Sequence, residues 1–505
     1  MRMRTVTGPT DSVVIVGAGL GGLSAALHLA AAGRHVTVVE REAVPGGRCG
    51  LIQDHGYRFD TGPTVLTMPE LLAEPLNAVG EELDDWLTLT RLDPAYRARF
   101  ADGSQLDVRA DVDAMADEIA AVCGGKDADG YRRFVRFARE LYELELPHFI
   151  DRNLDSPLQL IGAPAARLLA MGAFGRLANK VGDFVADERL RRVLSFQSMY
   201  AGMPPAKALA IYCVITYMDA VRGVYFPTGG MHAVPRALAG AAVTHGVRFR
   251  YNTTVARVEI SSGRATGVLT AEGERIPADV VLVNADLPTA YRELLPPGYT
   301  PRRVRRLRYS PSAVVLHSGS ARTFPHTLHH TIDFGSAWES TFDRIVTRGE
   351  VMDDPSFLLT TPTLTDASLA PAGRHARYVL FPVPNLDHRH LIDWRSDRSR
   401  YRDHIVETLQ ARGYAGFGED VEVEHLVTPL EWQAQGLAAG APFAAAHSFG
   451  QTGPFRSATL DRRVPNLVFA GSNTQPGVGV PMVLISGKLA AARITGPATA
   501  EKMNR

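Results

Sequence analysis

Residues 13–48, VVIVGAGLGGLSAALHLAAAGRHVTVVEREAVPGGR, place a strand, a glycine turn, a helix, a second strand and an acid in one order. No other stretch constrains the fold as much. Residues 13–16 read as a short apolar strand. Gly17, Gly19 and Gly22 then supply G-x-G-x-x-G, residues 23–32 read as a helix of small residues, and residues 36–39 form a second strand ended by Glu40. Gly17 suits a tight turn. Gly19 lets a pyrophosphate approach the backbone, and Gly22 lets helix and strand close on each other. The helix N-terminus offers free N–H groups and a partial positive charge to phosphates. Glu40 stands about 18 residues past Gly22, where a carboxylate accepts from a ribose hydroxyl. The segment predicts dinucleotide binding. A glycine-rich turn without a ligand is the plainer alternative.

With 505 residues and 45% hydrophobic content, the chain has room for two or three structural regions. Its 54 basic and 54 acidic residues cancel, which argues against a nucleic-acid partner recruited by long-range electrostatics. Cys49, Cys123 and Cys213 show no C-x-x-C spacing. That suggests a reducing compartment and no disulfide framework. No uninterrupted apolar stretch reaches transmembrane length. The first apolar run is the nucleotide-binding strand itself, so no cleavable leader is expected. Residues 1–10 are expected to fray. His326, His329 and His330 have ligand spacing, yet such histidines more often bond backbone or line a pocket, and no metal is expected. HExxH, GxSxG, Walker A and C-x-x-C motifs are missing from the sequence.

The chain shows no internal repeat. Residues 11–67 open an α/β unit, and helical patterns dominate from about residue 69 to 221. Residues 223–260 read as a Gly-Gly turn, a helix and two strands, and VVLVNAD at 280–286 as a buried strand. Residues 290–450 are mixed, with many prolines and alternating strands. Residues 466–494 read as strand, glycine loop and helix, with Pro481 suited to the first helical turn. That helix would aim its dipole and free N–H groups at an anionic ring edge. Glycine loops near both ends imply one nucleotide unit interrupted by insertions.

Pro45-Gly46-Gly47-Arg48 would bring backbone and a guanidinium to a pyrophosphate or an electron-rich ring. A surface cation beside a turn is the alternative for Arg48. GYRFDTGPTVLT at 56–67 alternates Tyr57 and Phe59 with polar residues and turns at Gly62-Pro63. Residues 157–182 hold no acid and carry Arg167, Arg176 and Lys180 among large apolar side chains. Such a segment can lie in a membrane interface, with Leu168, Leu169 and Phe174 towards lipid. It can equally cap the core with its cations in water.

GAGLGGL with its acid, PGGR, GYRFDTGPTVLT and FAGSNTQPGVGVPMVLISGKLAA together resemble the FAD-dependent carotenoid desaturases of bacterial type, the phytoene desaturases among them. FQSMYAGMPP (196–205), VYFPTGGMHAVPRALA (224–239), VNAD (283–286) and LHHTIDFG (328–335) resemble further blocks, so the likeness covers nearly the whole chain. It implies an α/β fold, a Rossmann-like FAD-binding domain of the glutathione-reductase/amine-oxidase type. That domain would combine residues 11–95, 223–289 and 455–497. A largely helical substrate- and membrane-facing region at 96–222 and a mixed α+β substrate domain at 290–454 would interrupt it.

The same resemblance places FAD. Gly17, Gly19, Leu20, Gly22, Glu40 and Arg41 would hold its ADP half. Gly47 and Arg48 would border the pyrophosphate, with Gly62, Pro63 and Thr64 also on the cofactor. Val255 would touch the adenine through its backbone, and Gly471, Gly479, Val480, Pro481 and Met482 would lie against the isoalloxazine. Family members often carry a His in the closing loop. Gln475-Pro476-Gly477-Val478-Gly479 stands here instead, so no role of that His transfers.

The implied activity is desaturation of phytoene towards lycopene in carotenoid biosynthesis, with hydride transfer to flavin and loss of a proton to a base or water. A wholly apolar C40 polyene needs a long hydrophobic channel, and the protein supplies alignment and electrostatics around the flavin. No catalytic residue is assigned. Asp60, Asp286 and Asp333 are the carboxylates nearest the family blocks. Quinone or oxygen is the candidate electron acceptor. The expected location is the cytoplasmic side, peripherally on the inner face of the cell membrane. The alternatives are another carotenoid desaturase or isomerase, an amine or porphyrinogen oxidase, and a non-enzymatic prenyl-binding chaperone.

Overall fold

In a computed structural model, residues 3–388 and 392–496 are described. The first sheet is parallel and five-stranded, in the order Leu467–Phe469, Val280–Val283, Ser12–Val16, His35–Val39, Arg248–Arg250. Its central strand is apolar on both faces, as a strand covered on both sides must be. Val13 and Ile15 face a core shared with the helices Leu20–Ala31, Ala233–Thr244 and Val480–Thr495. Val14 and Val16 face the opposite core, under the antiparallel meander Val255–Ser261, Arg264–Thr270, Arg275–Pro277. Strands from both ends of the chain are thus neighbours in one sheet. The first and last helices touch through Gly21 and Gly487, where a Cβ on Gly487 would strike the Gly21 carbonyl.

A second, seven-stranded mixed sheet is built from Val423–Val427, Ser312–Ser320, His375–Val383, Phe357–Thr360, His330–Phe334, Tyr96–Phe100 and Gln105–Val108, in that order. Tyr96–Phe100 runs parallel to His330–Phe334, with Ile332 opposite Ala98. The stretch from residue 69 to 221, expected to be helical, opens with the helix Pro69–Asn77 but then holds three strands, Leu89–Arg91, Tyr96–Phe100 and Gln105–Val108. Burial alternates along Tyr96–Phe100, but a five-residue alternation is weak beside the long helical patterns that follow. Helices Val112–Val122 and Gly125–Glu145 come next. Three helical stretches end in π turns, Leu146–Ile150, Tyr217–Val221 and Arg344–Arg348.

Two expectations are corrected. The tail expected to fray is tied down at Arg4 and Val6, and residues 1 and 2 lie outside the described residues. The Val6 N–H donates to the Arg493 carbonyl at 2.8 Å, the Arg4 N–H donates to Asp155 Oδ2 at 2.9 Å, and the Val6 side chain is buried. Arg493 of the last helix holds the tail twice, through its carbonyl at Val6 and its guanidinium at the Arg4 carbonyl, which sequence periodicity does not report. Leu168 does not face outward. It is 2% exposed, whereas Leu169 next to it is 68% exposed. Both lie on the short helix Ala163–Ala170, where adjacent residues point about 100° apart. Leu158, Ile161 and Phe174 join Leu169 on the outer face. Among the described residues, no helix is long and apolar enough to cross a membrane.

Candidate active site

The cleft begins where the strand Ser12–Val16 ends. Gly17 has φ +99°, a value that L side chains rarely adopt, and it starts the turn into Leu20–Ala31. At Gly22 a Cβ would collide with the Gly17 carbonyl, so this glycine serves close packing within the turn. Glu40 closes the same turn from the second strand. Its Oε2 accepts from the Ala18 N–H at 2.6 Å and its Oε1 from the Glu42 N–H at 2.9 Å. Arg41 donates to the Gln435 carbonyl at 2.9 Å.

Arg48 is not a free surface cation. Its Nη1 donates to Ser472 Oγ at 2.5 Å, and its Nη2 lies 3.2 Å from Asp286 Oδ2. Asp286 also accepts from Asn473 Nδ2 at 2.6 Å. Burial alone would push the Asp286 carboxyl up and the Arg48 guanidinium down, and each charge counters the other's shift. Three sequence blocks, PGGR, VNAD and the closing loop, thereby meet at one point. At Gly62 a Cβ would strike the Arg48 carbonyl, so the Gly62-Pro63-Thr64 turn presses on the same segment.

One cavity of about 1570 Å³ takes in these parts. Every residue named for the cofactor lines it except Gly22, which lies beneath the turn. Gly17, Gly19, Leu20, Glu40, Arg41 and Val255 lie on its walls, as do Gly47, Arg48, Gly62, Pro63 and Thr64. Gly471 and the Gly479, Val480, Pro481 and Met482 corner complete the set. The N-termini of Leu20–Ala31 and Val480–Thr495 both adjoin it, and neither has a side-chain cap. Uncapped N–H groups at a helix start suit an anionic ligand. A glycine-lined cradle, one buried-side cation and two helix starts fit a dinucleotide carrying an electron-accepting ring.

Beyond this cradle the cavity is apolar, with Phe196, Ile332, Phe334, Trp338 and Leu358 among its walls. It reaches the surface beside Leu169, Phe174 and Phe449, which line it and are exposed. Four polar groups that sequence reading missed also line it: Glu145, Tyr200, Asp219 and His447. Burial pushes the Glu145 carboxyl well above its usual range and holds His447 well below its own. The His447 ring lies against Gly477, where a Cβ would be 2.5 Å from Nε2. A histidine from a different segment thus reaches the loop that lacks one of its own.

The carboxylates singled out from sequence are all engaged. Asp60 accepts from the Met231 and His232 N–H groups at 2.9 and 3.0 Å. Asp286 holds Arg48. Asp333 accepts from Arg99 at 3.0 Å and Arg412 at 2.7 Å. His329 and His330 pair with Thr365 and Thr360. Among the described residues, no cluster of three or more His, Cys, Asp or Glu could hold a metal. Asp219 was signalled only as an acid inside the apolar stretch 208–221, and Glu145, in a helix rich in charged residues, carried no signal.

Residues 20–495 match the family model described as flavin containing amine oxidoreductase. The chain belongs to this family. Proteins similar to it include the phytoene dehydrogenase of Streptomyces griseus, 57% identical over 98% of this chain and 97% of the relative. The zeta-carotene-forming phytoene desaturase of Myxococcus xanthus is 41% identical over 95% of this chain and 93% of that one. Among solved structures, wild-type putrescine oxidase bound to putrescine covers 97% of this chain and 100% of its own, with TM-score 0.62 and 17% identity. That last likeness shows the fold alone. As a family member the protein is an FAD-dependent oxidoreductase.

Proposed function

We propose that the protein is an FAD-dependent phytoene desaturase of carotenoid biosynthesis. Continuity of the cavity carries the reading. A single space of about 1570 Å³ joins the glycine cradle to apolar walls and an apolar mouth. Pockets for one drug-sized ligand run to about 1,000 Å³, so this space suits a dinucleotide with part of a long polyene. The relatives named above support the choice of phytoene over an amine. The flavin, when bound, accepts a hydride from a substrate C–H bond.

The chain's own residues do the rest. Gly17, Gly19, Leu20, Glu40, Arg41 and Val255 would hold the ADP half. Gly47, Arg48 and the Gly62–Thr64 turn would meet the pyrophosphate. Gly471 and the 479–482 corner would face the ring, with helix N–H groups towards its pyrimidine edge. The apolar walls exclude water and align the polyene. We divide the chain accordingly: a discontinuous nucleotide unit, a helical region, and a substrate sheet to which strands 96–100 and 105–108 contribute.

The mouth also suggests where the protein works. We propose peripheral attachment to a membrane, from which phytoene enters beside Leu158, Ile161, Leu169, Phe174 and Phe449. Within residues 157–182, Arg167 is paired with Glu140 and Lys180 with Asp183. The charge for an anionic leaflet is better supplied by exposed Arg302, Arg303, Arg305, Arg306 and Arg308, with Arg462 and Arg463. None of these has an acid partner among the described residues, and Arg303 reaches the Gly450 carbonyl beside Phe449 at 3.4 Å. Quinone and oxygen are the acceptors to test.

The experiment is anaerobic incubation of FAD-loaded protein with phytoene in vesicles and each acceptor, followed by chromatography. Products of lower mass by hydrogen pairs support the reading. Unchanged phytoene with every acceptor overturns it.

A further inference from the structure

Two carboxyl groups face the cavity with an oxygen that has no hydrogen-bond partner, Glu145 Oε1 and Asp219 Oδ1. Both residues are more than nine-tenths buried. Both stand at π turns. Glu145 precedes Leu146–Ile150, and Asp219 lies within Tyr217–Val221. A π turn widens an α-helix by one residue and is frequent at functional sites.

Asp219 is the better placed. Tyr96 and Tyr200 feel its charge, and the Gln197 side chain hydrogen-bonds its carboxylate and holds its rise back. Gln197 is itself fixed: its Nε2 donates to the Val193 carbonyl at 3.1 Å and the Tyr96 hydroxyl at 3.2 Å, and its Oε1 accepts from Thr216 at 3.3 Å. Tyr200 adjoins Ala201, whose carbonyl accepts from the His447 N–H at 2.9 Å. His447 lies against Gly477 in the closing loop. A short run of contacts therefore leads from Asp219 to the edge of the cofactor cradle.

We propose that Asp219 is the proton acceptor of the desaturation. The assignment rests on the reading of the protein as a polyene desaturase. One desaturation breaks two C–H bonds on adjacent carbons and forms one C=C bond. One hydrogen leaves with both bond electrons to the flavin. The other leaves as a proton to Asp219 Oδ1, and its bond electrons become the new π bond. The neutral acid then returns the proton to water. In a largely apolar wall, Asp219 Oδ1 is a carboxylate oxygen with no hydrogen bond, free to accept a proton.

The surroundings agree. Burial raises Asp219 to about 7, with Gln197 opposing. No cation contributes to that shift. Tyr96 and Tyr200 are pushed up by burial and stay neutral. The packed helix Gly125–Glu145 brings Tyr131, Tyr142 and Glu145, each also pushed up by burial. Burial also pushes the Glu145 carboxyl well up, whereas Asp219, at about 7, is divided between both forms at neutral pH and can accept.

The test compares wild type, D219N, D219E and E145Q, each loaded with FAD. Flavin content is read by absorbance, protonation of the resting protein by infrared difference spectra, and turnover of phytoene against pH. In wild type a carboxylic carbonyl band should titrate near pH 7, and turnover should fall as pH drops through the same range. D219N should keep its flavin, lose that band, and lose turnover by about 100-fold or more. D219E should restore part of the rate with its acidic limb displaced.

Turnover of D219N within threefold of wild type overturns the proposal. So does an E145Q variant that loses turnover while D219N keeps it. If D219N fails to retain flavin, D219E decides, and an acidic limb unmoved from wild type counts against Asp219. If wild type itself leaves phytoene untouched, the desaturase reading has failed instead.

Discussion

Arg48 Nη2 lies 3.2 Å from Asp286 Oδ2, across 238 residues of chain. Its other terminal nitrogen holds Ser472, which follows Gly471 of the closing loop. One guanidinium thus fastens the first nucleotide segment to the start of the helix Leu287–Glu293 and to the last loop. A planar fork with fixed donors can bond both partners at once, and a lysine ammonium cannot reproduce that geometry. Arg48→Lys should weaken FAD by roughly tenfold or more, measured by fluorescence titration of flavin-free protein. Affinity equal to wild type would show that the charge alone suffices.

Glu40 does structural work as well as facing the cleft. Both carboxylate oxygens accept from backbone N–H groups of the surrounding turn. A glutamine retains one acceptor and turns an NH2 group towards the other donor. Glu40→Gln should therefore lower flavin affinity by roughly tenfold. It should also cost the flavin-free protein about 1–3 kcal/mol. Denaturant melts with and without FAD check both parts. A variant with weakened flavin but unchanged apo stability would limit Glu40 to the ligand.

Glu145 should make stability depend on pH. Burial raises its folded-state value well above 4.5, the ordinary value it keeps when unfolded. The folded protein therefore binds this proton more tightly. Its stabilising contribution is complete below the unfolded value and is lost as pH climbs towards the folded one. Glu145→Gln should match wild type near pH ~4 and exceed it near pH ~8 in denaturant melts. A stability difference that stays constant with pH would rule out this titration.

Membrane attachment should divide into two separable parts. Replacing Leu158, Ile161, Leu169 and Phe449 by Ser should reduce flotation with vesicles of any charge, because apolar burial scales with area. Replacing Arg302, Arg303, Arg305 and Arg306 by Gln should reduce it only with anionic vesicles and only at low salt. Bound FAD should stay at wild-type level in both. Leu168 is left intact because it is core. Unchanged flotation of both variants would place the membrane contact elsewhere.

The nucleotide unit was legible because its signals are local. A strand, a turn that needs glycine at positive φ, and a helix that needs glycine for close approach all fall within residues 12–31. The closing strand, loop and helix are similarly local. Strands 96–100 and 105–108 were not legible as part of the second sheet, because the partner of the first, His330–Phe334, lies over 200 residues away. Nor was the role of Asp333, whose partners Arg99 and Arg412 come from opposite sides in sequence.

From sequence alone came the cofactor class, the turn geometry and the apolar character of a polyene site, since each depends on residue type at short spacing. Tertiary structure decided which charges are free. Arg48, Asp60, Asp286 and Asp333 all look available in the sequence, yet folding gives each a partner. Glu145 and Asp219 look ordinary, yet folding leaves each with an unpartnered oxygen in an apolar cavity. The physical reason is that burial and pairing of a charge depend on segments brought together from far along the chain. Those two properties, more than the residue's identity, set its protonation and its reactivity.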